Sequence, residues 1–255
     1  MKRLENKIAL VTGAMRGIGL GIAQKFISEG ANVMLLDIDE AQLASSCEAL
    51  PKDKAAWLKA DVTKADELEK AVSETIKKWG KLDIVCCNAG IGGEAHLLWD
   101  YPEEGFDKVI DVNLKGVWLT MKHTMPIMAK GGGGSMILIS SIAGLRGAAK
   151  SIAYSASKHA VTGMMRTAAI EGAKLKIRVN SIHPGPVETD MVRGLEMAVR
   201  PQNPEEGKKI LEKSILLRRY AETDDVANMA LFLASDESSY ITGCEHRVDG
   251  GFMTA

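Results

Sequence analysis

A tyrosine and a lysine stand four residues apart in the stretch YSASK, as Tyr154 and Lys158. On an α-helix such a pair lies on one face, one turn apart. A free tyrosine has a pKa of about 10, too high for a base at neutral pH, and a cation within about 4–6 Å lowers that pKa. The pair is therefore either an acid–base group prepared for proton transfer or an ordinary solvated helix face.

A second candidate for chemistry is the glycine-rich stretch TGAMRGIG at 12–19, which follows an apolar run and opens a helical pattern. Glycines there permit a tight turn and let the backbone approach a pyrophosphate at a helix N-terminus. The stretch is not a P-loop, because no Gly-Lys-Ser/Thr follows. A plain strand–helix turn is the alternative. On the dinucleotide interpretation, the residues beside the cofactor are Gly13, Arg16, Gly17, Ile18 and Gly19.

An aspartate at the end of the second apolar run bears on which dinucleotide is bound. Asp37 lies 24 residues after Gly13, where a carboxylate accepts hydrogen bonds from the adenosine ribose. Its alternative role is the cap of a helix that starts near Glu40. A 2′-phosphate beside Asp37 would be repelled by roughly 4 kcal/mol at 4 Å and an effective dielectric of 20. Arg16 acts in the opposite direction, since a guanidinium can hold a phosphate. Because Asp37 is on a rigid strand end and Arg16 can turn to solvent, NAD is favoured over NADP.

The elements that must position these groups alternate along the chain. Helical patterns such as 66–79 and 153–173 separate short apolar runs. This alternation predicts a parallel sheet covered by helices on both faces. We expect a single doubly wound, Rossmann-like α/β domain over residues 1–255. Its predicted strands lie within 7–13, 32–38, 55–62, 82–90, 135–144 and 177–185.

One segment, 186–219, breaks the alternation and contains three prolines. It leaves the sixth strand at the carboxyl edge of the sheet, where ligands of open α/β sheets bind. We interpret it as a helical lid over a substrate site, with Met191 and Leu195 as an apolar inner surface. A plain surface insertion is the alternative. Arg193 and Arg200 could instead bind an anionic tail of the substrate, so a charged substrate remains an alternative.

Composition excludes several classes of function. The chain is 46% hydrophobic and 25% charged, with a net charge of −1, so no global field favours nucleic acid or anionic membranes. No apolar run reaches the roughly 18 residues of a membrane span, and the apolar run near the N-terminus is too short for a signal peptide. The cysteines lack metal-ligand spacing and read as small buried residues of a cytoplasmic protein, so no metal is expected: Cys47, Cys86, Cys87 and Cys244.

Six motifs in order resemble those of the short-chain dehydrogenases/reductases across nearly the whole chain. They are TGxxxGIG at 12–19, CNAG at 87–90, NLKG at 113–116, SS at 140–141, YxxxK at 154–158 and HPGPVET at 183–189. The resemblance implies a catalytic set of Asn113, Ser141, Tyr154 and Lys158. Ser141 is chosen over Ser140 because it lies thirteen residues before Tyr154.

The resemblance also assigns roles. Tyr154 exchanges the proton of the alcohol, Ser141 holds the substrate oxygen, Lys158 holds the nicotinamide ribose, and Asn113 anchors a water that links Lys158 to solvent. Further residues implied beside the cofactor are Asp61, Val62, Asn88, Ala89, Gly90, Pro184, Gly185, Val187 and Thr189. Cys87 departs from the family, which usually has a second asparagine there. His159 and His183 are interpreted as surface or packing residues.

The implied activity is NAD-linked oxidation of an apolar or cyclic secondary alcohol, or reduction of the ketone. Two alternatives remain. An NADPH-dependent 3-oxoacyl-acyl-carrier-protein reductase shares every motif, although Asp37 argues against NADPH. A non-catalytic sensor would keep the dinucleotide site but do no chemistry, and the complete catalytic set argues against it. The family usually forms homodimers or homotetramers, with the expected contacts in a long helix around 103–129 and in 246–255.

Overall fold

A computed structural model describes residues 2–254, and within them a seven-stranded parallel sheet forms the centre of the fold. The strands are β1 (Ile8–Thr12), β2 (Asn32–Asp37), β3 (Ala55–Lys59), β4 (Ile84–Cys87), β5 (Gly134–Ile139), β6 (Ile177–Pro184) and β7 (Glu245–Val248). Their order is β3-β2-β1-β4-β5-β6-β7. The order reverses between β1 and β4, which creates the crevice where such sheets bind ligands. The six predicted strands are confirmed, and β7 was missed.

Nine helices within residues 2–254 connect and cover the strands. They are α1 (Gly17–Ser28), α2 (Glu40–Glu48), α3 (Ala65–Trp79), α4 (Glu103–Ile110), α5 (Gly116–Lys130), α6 (Ile152–Ala173), α7 (Asp190–Val199), α8 (Pro204–Ser214) and α9 (Thr223–Ala234). The predicted doubly wound α/β fold is confirmed. The expected long helix around 103–129 is continuous but changes its winding, since a π-helical turn at Asp111–Lys115 joins α4 to α5.

Two apolar cores lie on opposite faces of the sheet. One contains Phe26 of α1 and Leu231 of α9, and the other contains Leu68 of α3 and Met128 of α5. Because strand side chains alternate between faces, β1 is buried along its whole length. The central strands are therefore apolar throughout, and this rigid layer sets the positions of the strand ends.

The cysteines follow this layering. Cys86 packs in one core and its neighbour Cys87 in the other, and burial raises the pKa of Cys87 to about 12. Cys47 is buried as well, whereas Cys244 is exposed, so the prediction that all four are buried is wrong at that position. Cys244 lies just before β7 at the edge of the sheet, where there is little to cover it.

The irregular segment between β6 and α9 is a compact helical unit. Val192 of α7 packs with Leu211 of α8 and with Tyr220 in a small apolar cluster. The two helices approach closely, since a Cβ on Gly207 would lie 2.4 Å from the carbonyl oxygen of Glu196. The expected short amphipathic helix at 190–200 is present as α7.

Residues 2–254 lack two kinds of feature. No helix there is both long and apolar enough to cross a membrane. That part of the chain also contains no group of three or more His, Cys, Asp or Glu side chains arranged to hold a metal ion.

Candidate active site

The glycine turn lies between the carboxyl ends of β1 and β4. Gly13 and Gly17 have φ angles of +65° and +57°, in the left-handed region that favours glycine. A Cβ on Gly13 would lie 2.7 Å from Cα of Ala89, and one on Gly19 would lie 2.1 Å from the Gly13 carbonyl oxygen. The backbone conformation and close packing of the turn therefore require glycine at these positions. The N-cap residue Arg16 makes no side-chain cap to α1, so the first amides of that helix remain available to a pyrophosphate.

Asn88 fastens the glycine turn to the end of β4. Its Nδ2 donates hydrogen bonds to the carbonyl oxygens of Thr12 (3.0 Å) and Gly13 (2.9 Å). In return, Thr12 Oγ1 accepts from the backbone N–H groups of Asn88 (3.0 Å) and Ala89 (3.1 Å). The CNAG stretch thus holds the turn in shape at the topological switch point.

Asp37 lies at the end of β2, beside the same turn. Its two carboxylate oxygens accept hydrogen bonds from the N–H of Met15 (3.0 Å) and of Ile38 (2.8 Å). The helix cap is another residue: Asp39 caps α2 by accepting from the N–H of Gln42. The alternative role of Asp37 as that cap is therefore wrong, and its carboxylate is fixed toward the glycine turn.

Arg16 reaches from the glycine turn to the segment after β6. Its guanidinium lies 3.0 Å from a carboxylate oxygen of Asp190, the first residue of α7. The two side chains are 57% and 79% exposed, so the pair is weak. Thr189 lies close to the turn too, since its Cγ2 would be 3.5 Å from a Cβ on Gly17. The start of α7 therefore crosses the front of the turn.

Asn113 occupies the π-helical turn between α4 and α5 and is fully buried. Its side chain forms a reciprocal pair with the backbone of Ile91, with Nδ2 donating to the carbonyl and Oδ1 accepting from the N–H, both at 2.8 Å. The second Nδ2 hydrogen is directed to Ser157 Oγ at 3.2 Å. A Cβ on Gly90 would lie 3.3 Å from Asn113 Oδ1 and 3.5 Å from Lys158 Nζ, which places Asn113 and Lys158 around one point.

Tyr154 and Lys158 lie on one face of α6, with Nζ 5.6 Å from the centre of the phenol ring. Lys158 is buried, and Nζ donates a hydrogen bond to the Ile139 carbonyl at the end of β5 (2.9 Å). Burial lowers the pKa of Lys158 to about 8. Burial raises the pKa of Tyr154, and a hydrogen bond from Ser141 partly offsets that rise. The expected lowering of the Tyr154 pKa is not met, because desolvation by burial is the largest effect on this group.

The two serines after β5 have different surroundings. Ser140 is buried, and its hydroxyl donates to the Lys158 carbonyl inside the protein (3.0 Å). Ser141 is half-buried, and its Oγ accepts from the Ala143 N–H (3.1 Å), which leaves its own hydrogen for Tyr154 or a ligand. The structure brings Ser141, and not Ser140, together with Tyr154.

The remaining predicted cofactor residues lie along the same edge of the sheet. Pro184 ends β6, and Gly185 is packed so closely on Asp249 that a Cβ would lie 3.0 Å from its Cα. Val187 is buried and pairs with Ala221.

Asp61 and Val62 follow β3. Asp61 accepts hydrogen bonds from the backbone N–H and the hydroxyl of Thr63 (2.9 and 2.8 Å). Val62 is buried against Gly116, at the start of α5. Both residues fix the loop that borders the crevice on this side.

Comparison with known proteins decides the family. Residues 13–253 match a family model described as Enoyl-(Acyl carrier protein) reductase, one of the short-chain dehydrogenase/reductase models. The chain belongs to the short-chain dehydrogenase/reductase family. The resemblance inferred from the six motifs is confirmed.

Two curated relatives of this dehydrogenase/reductase match it over almost its whole length. A (-)-trans-carveol dehydrogenase from Rhodococcus erythropolis is 40% identical over 274 aligned residues, which cover 98% of this chain and 99% of that protein. A 3-oxoacyl-acyl-carrier-protein reductase, FabG, from Thermotoga maritima is 39% identical over 254 residues, which cover 98% and 99%.

Two solved structures have the same fold. A carveol dehydrogenase from Mycobacterium avium in complex with NAD superposes with a TM-score of 0.95 at 33% identity. The superposition covers 100% of this chain and 100% of that one. A levodione reductase superposes with a TM-score of 0.95 at 32% identity, over 99% of this chain and 100% of that one.

The histidines of this dehydrogenase/reductase show what the sequence interpretation missed. His159 is exposed and bonds the Ser155 carbonyl. His183 is fully buried and contacts both Ser181 and the carbonyl oxygen of Ser141. Alternation along β6 could have indicated that Ser181 and His183 share a face, but nothing in the sequence pointed to Ser141.

Proposed function

We propose that the chain transfers a hydride between NAD(H) and an apolar, cyclic secondary alcohol or its ketone. The observation that carries this proposal is the position of the Ser141 side chain beside Tyr154 at the crevice, where it lowers the Tyr154 pKa against the effect of burial, with buried Lys158 one helical turn behind. Such a cluster presents a hydroxyl donor and an exchangeable proton to one oxygen atom of a substrate.

The residues of the chain divide the chemistry. Bound NAD would supply the hydride acceptor and, when oxidised, a positive charge. The amides at the start of α1 and the carboxylate of Asp37 would hold that cofactor. Ser141 hydrogen-bonds the substrate oxygen and stabilises its developing charge, while Tyr154 Oη takes the alcohol proton in oxidation and returns it in reduction.

Lys158 and Asn113 support proton movement from Tyr154. Both Nδ2 hydrogens of Asn113 are already directed to Ile91 and Ser157. A water that links Lys158 Nζ to solvent would therefore rest on the free lone pair of Asn113 Oδ1 or on its backbone carbonyl. Since the pKa of Lys158 is lowered to about 8, its ammonium and amine forms interchange near neutral pH.

NAD rather than NADP is favoured by two side chains. Asp37 places a carboxylate at the end of β2, and Arg16 is paired with Asp190 on the other side of the glycine turn. An arginine held by Asp190 is less available to a 2′-phosphate. The NAD named with the carveol dehydrogenase from Mycobacterium avium supports the same choice.

The substrate class rests on α7, which we propose acts as a lid. Met191 and Leu195 are about half exposed, and Met191 Cγ would lie 3.8 Å from a Cβ on Gly92. Gly92 follows the β4 end, so α7 spans the crevice and presents apolar side chains to it. The names carveol dehydrogenase and levodione reductase point to cyclic alcohols and ketones in two relatives.

The alternative of an anionic substrate tail is not favoured by the surroundings of the two lid arginines. Arg193 is bonded to both Glu188 and Glu196, and Arg200 faces Glu206 at 3.8 Å. Each guanidinium already has a carboxylate partner, so an anion would have to displace it.

A substrate panel tests the proposal. Cyclic and acyclic secondary alcohols are offered with NAD, and a 3-oxoacyl thioester is offered with NADPH, while absorbance of the reduced cofactor is followed. We expect the highest kcat/KM with a cyclic alcohol and NAD. The second candidate is a 3-oxoacyl-acyl-carrier-protein reductase, which the similarity to the relative named FabG supports. Faster turnover of the thioester with NADPH would favour that candidate. A chain that binds NAD but turns over nothing would support the sensor alternative.

We further propose that the chain forms a homodimer or homotetramer. Trp118 on α5 is 47% exposed and Ile170 on α6 is 77% exposed, which leaves apolar side chains on two outer helices. The buried, unpaired Cys86 and Cys87 fit a reducing compartment such as the cytoplasm. Light scattering of the purified chain measures the assembly.

A further inference from the structure

Ser141 lies just beyond the hydrogen-bonded part of the sheet. The ladder between β5 and β6 ends with the Ser140 N–H, which donates to the Ile182 carbonyl at 2.8 Å. The next residue, Ser141, carries the hydroxyl that faces Tyr154 but has no strand partner. A residue at a strand end without a ladder bond needs another group to fix its peptide plane.

The ring of His183 is one such group, beside the Gly144 N–H. Nδ1 lies 2.9 Å from the Ser141 carbonyl oxygen, and Nε2 lies 2.8 Å from Ser181 Oγ. A carbonyl only accepts, so Nδ1 carries the hydrogen, and in the neutral ring Nε2 accepts from the Ser181 hydroxyl. The side chain is fully buried, and burial is the main cause that lowers the pKa of His183.

We propose that His183 is a positioning residue that holds the Ser141 peptide, and through it the Ser141 hydroxyl, against Tyr154 and the substrate oxygen. The inference rests on the proposed function for its effect on turnover. The Ser141 carbonyl accepts from both His183 Nδ1 and the Gly144 N–H (2.9 Å). Ser141 Oγ accepts from the Ala143 N–H. With these acceptor sites filled, the Ser141 hydroxyl hydrogen is directed outward.

Two measurable consequences follow from loss of the His183 bond. A loosened Ser141 would lose alignment with the reacting oxygen, and misplacement by about 1 Å can cost on the order of 100-fold in rate. The Ser141 bond also lowers the pKa of Tyr154, against the larger effect of burial. Weakening it should raise the Tyr154 pKa further, with Lys158 as the charged group that faces the ring.

Conservative variants separate the two bonds of the ring. In His183→Asn the amide Nδ2 takes the place of Nδ1 and can still donate to Ser141. In His183→Gln the amide reaches toward Ser181, and the Ser141 carbonyl loses its side-chain donor and keeps only the Gly144 N–H. We expect kcat to fall about tenfold in the Gln variant and less than threefold in the Asn variant, with KM nearly unchanged.

His159→Gln is the matched control. His159 also bonds a backbone carbonyl through Nδ1, at 2.9 Å from the Ser155 oxygen, but it is exposed and outside the crevice. We expect wild-type kcat from it. NADH affinity, measured by fluorescence, should be nearly equal in all variants, because none of them alters the glycine turn or Asp37.

A readout without turnover keeps the test independent of the proposed function. The pKa of Tyr154 is measured by ¹³Cζ-tyrosine NMR, with Tyr154→Phe to assign the signal. We expect a higher pKa in His183→Gln and a wild-type pKa in His183→Asn and His159→Gln. If the wild type oxidises no alcohol, the proposed function fails, while the NMR titration still tests His183. If His183→Gln keeps both the kcat and the Tyr154 pKa of the wild type, the positioning role is overturned.

Ser181→Ala covers the case in which the Gln variant does not fold. It keeps the imidazole but removes the hydroxyl that donates to Nε2, so the ring loses its fixed orientation. We expect kcat to fall about threefold and the Tyr154 pKa to rise in the same direction. No change in either quantity would overturn the inference as well.

Discussion

Replacing two aspartates on opposite sides of the glycine turn should change the preference between NAD and NADP. Asp37→Asn removes a charge from the end of β2 but keeps an oxygen that can accept from the Met15 N–H. An alanine there would also free that N–H and loosen the turn. Asp190→Asn leaves the turn intact and releases Arg16 from its carboxylate partner.

The magnitudes follow from how exposed each charge is. Unit charges about 4 Å apart interact by roughly 4 kcal/mol at an effective dielectric of 20 and roughly 1 kcal/mol in water. Asp37 is half-buried, so about 1–2 kcal/mol of repulsion of a 2′-phosphate should be relieved, which is roughly a 5- to 30-fold rise in the NADP/NAD ratio of kcat/KM. The exposed pair of Arg16 and Asp190 is worth about 0.2–1 kcal/mol, so Asp190→Asn should add up to about fivefold.

The assay compares initial rates with NAD and NADP for the wild type, both single variants and the double variant. Glu48→Gln is the matched control, since Glu48 is exposed at the far end of α2. At a rise of about 1.5 Å per residue, Glu48 lies roughly 12 Å along the helix from Glu40, the first residue of α2. Its charge is therefore farther from the end of β2 than the Debye length of about 10 Å at 0.1 M salt. It should leave the ratio unchanged. An unchanged ratio in Asp37→Asn, or a rise of equal size in Glu48→Gln, would refute the assignment of Asp37 to the ribose.

Three further predictions concern the catalytic and lid residues. Tyr154→Phe keeps the ring but removes the acid–base group, so kcat should fall by about 10²–10⁴-fold while NADH still binds by fluorescence; more than a third of wild-type turnover would contradict the mechanism. Because the buried Lys158 has its pKa lowered to about 8, the unfolded chain binds more protons between pH 8 and pH 10.5. Wild-type stability relative to Lys158→Met should therefore rise by roughly 2.6 kcal/mol across that window in urea unfolding, and a constant difference would contradict the burial argument. The double variant Met191→Ala/Leu195→Ala should raise KM for the best substrate severalfold with NAD affinity unchanged, whereas Met197→Ala, a half-exposed methionine elsewhere on α7, should not; equal effects would remove the lid assignment.

The fold could be read from the sequence wherever a central strand was buried on both faces. Runs such as 8–12 are apolar throughout because both of their faces pack against helices, and this makes them visible. β7 (Glu245–Val248) was missed for the opposite reason. As an edge strand it is partly exposed, and its polar residues Glu245, His246 and Arg247 give no apolar run.

Motif spacing predicted which residues lie together in the proposed catalytic set, but not their electrostatics. Spacing in sequence places Tyr154 and Lys158 one turn apart, yet it does not show that Lys158 is buried with its ammonium on the Ile139 carbonyl. Desolvation then decides the direction of both pKa changes. The pairing of Arg16 with Asp190 was also outside the reach of the sequence, because those residues are 174 positions apart.

A common device explains how side chains beyond the ends of strands are held firmly. The hydrogen bonds between strands stop at the carboxyl edge of the sheet, yet the residues proposed to act on the substrate lie beyond that edge. Three side chains with N–H donors continue the bonding there: Asn88 to Gly13, Asn113 to Ile91, and His183 to Ser141. Each donates to the backbone carbonyl of a neighbouring segment, so each fixes a peptide plane and not only a side chain. The rigidity that catalysis needs is therefore supplied by polar groups that do not touch the substrate. Substitution of Asn113 or His183 should lower turnover before it lowers cofactor affinity, whereas substitution of Asn88 loosens the glycine turn and should lower both.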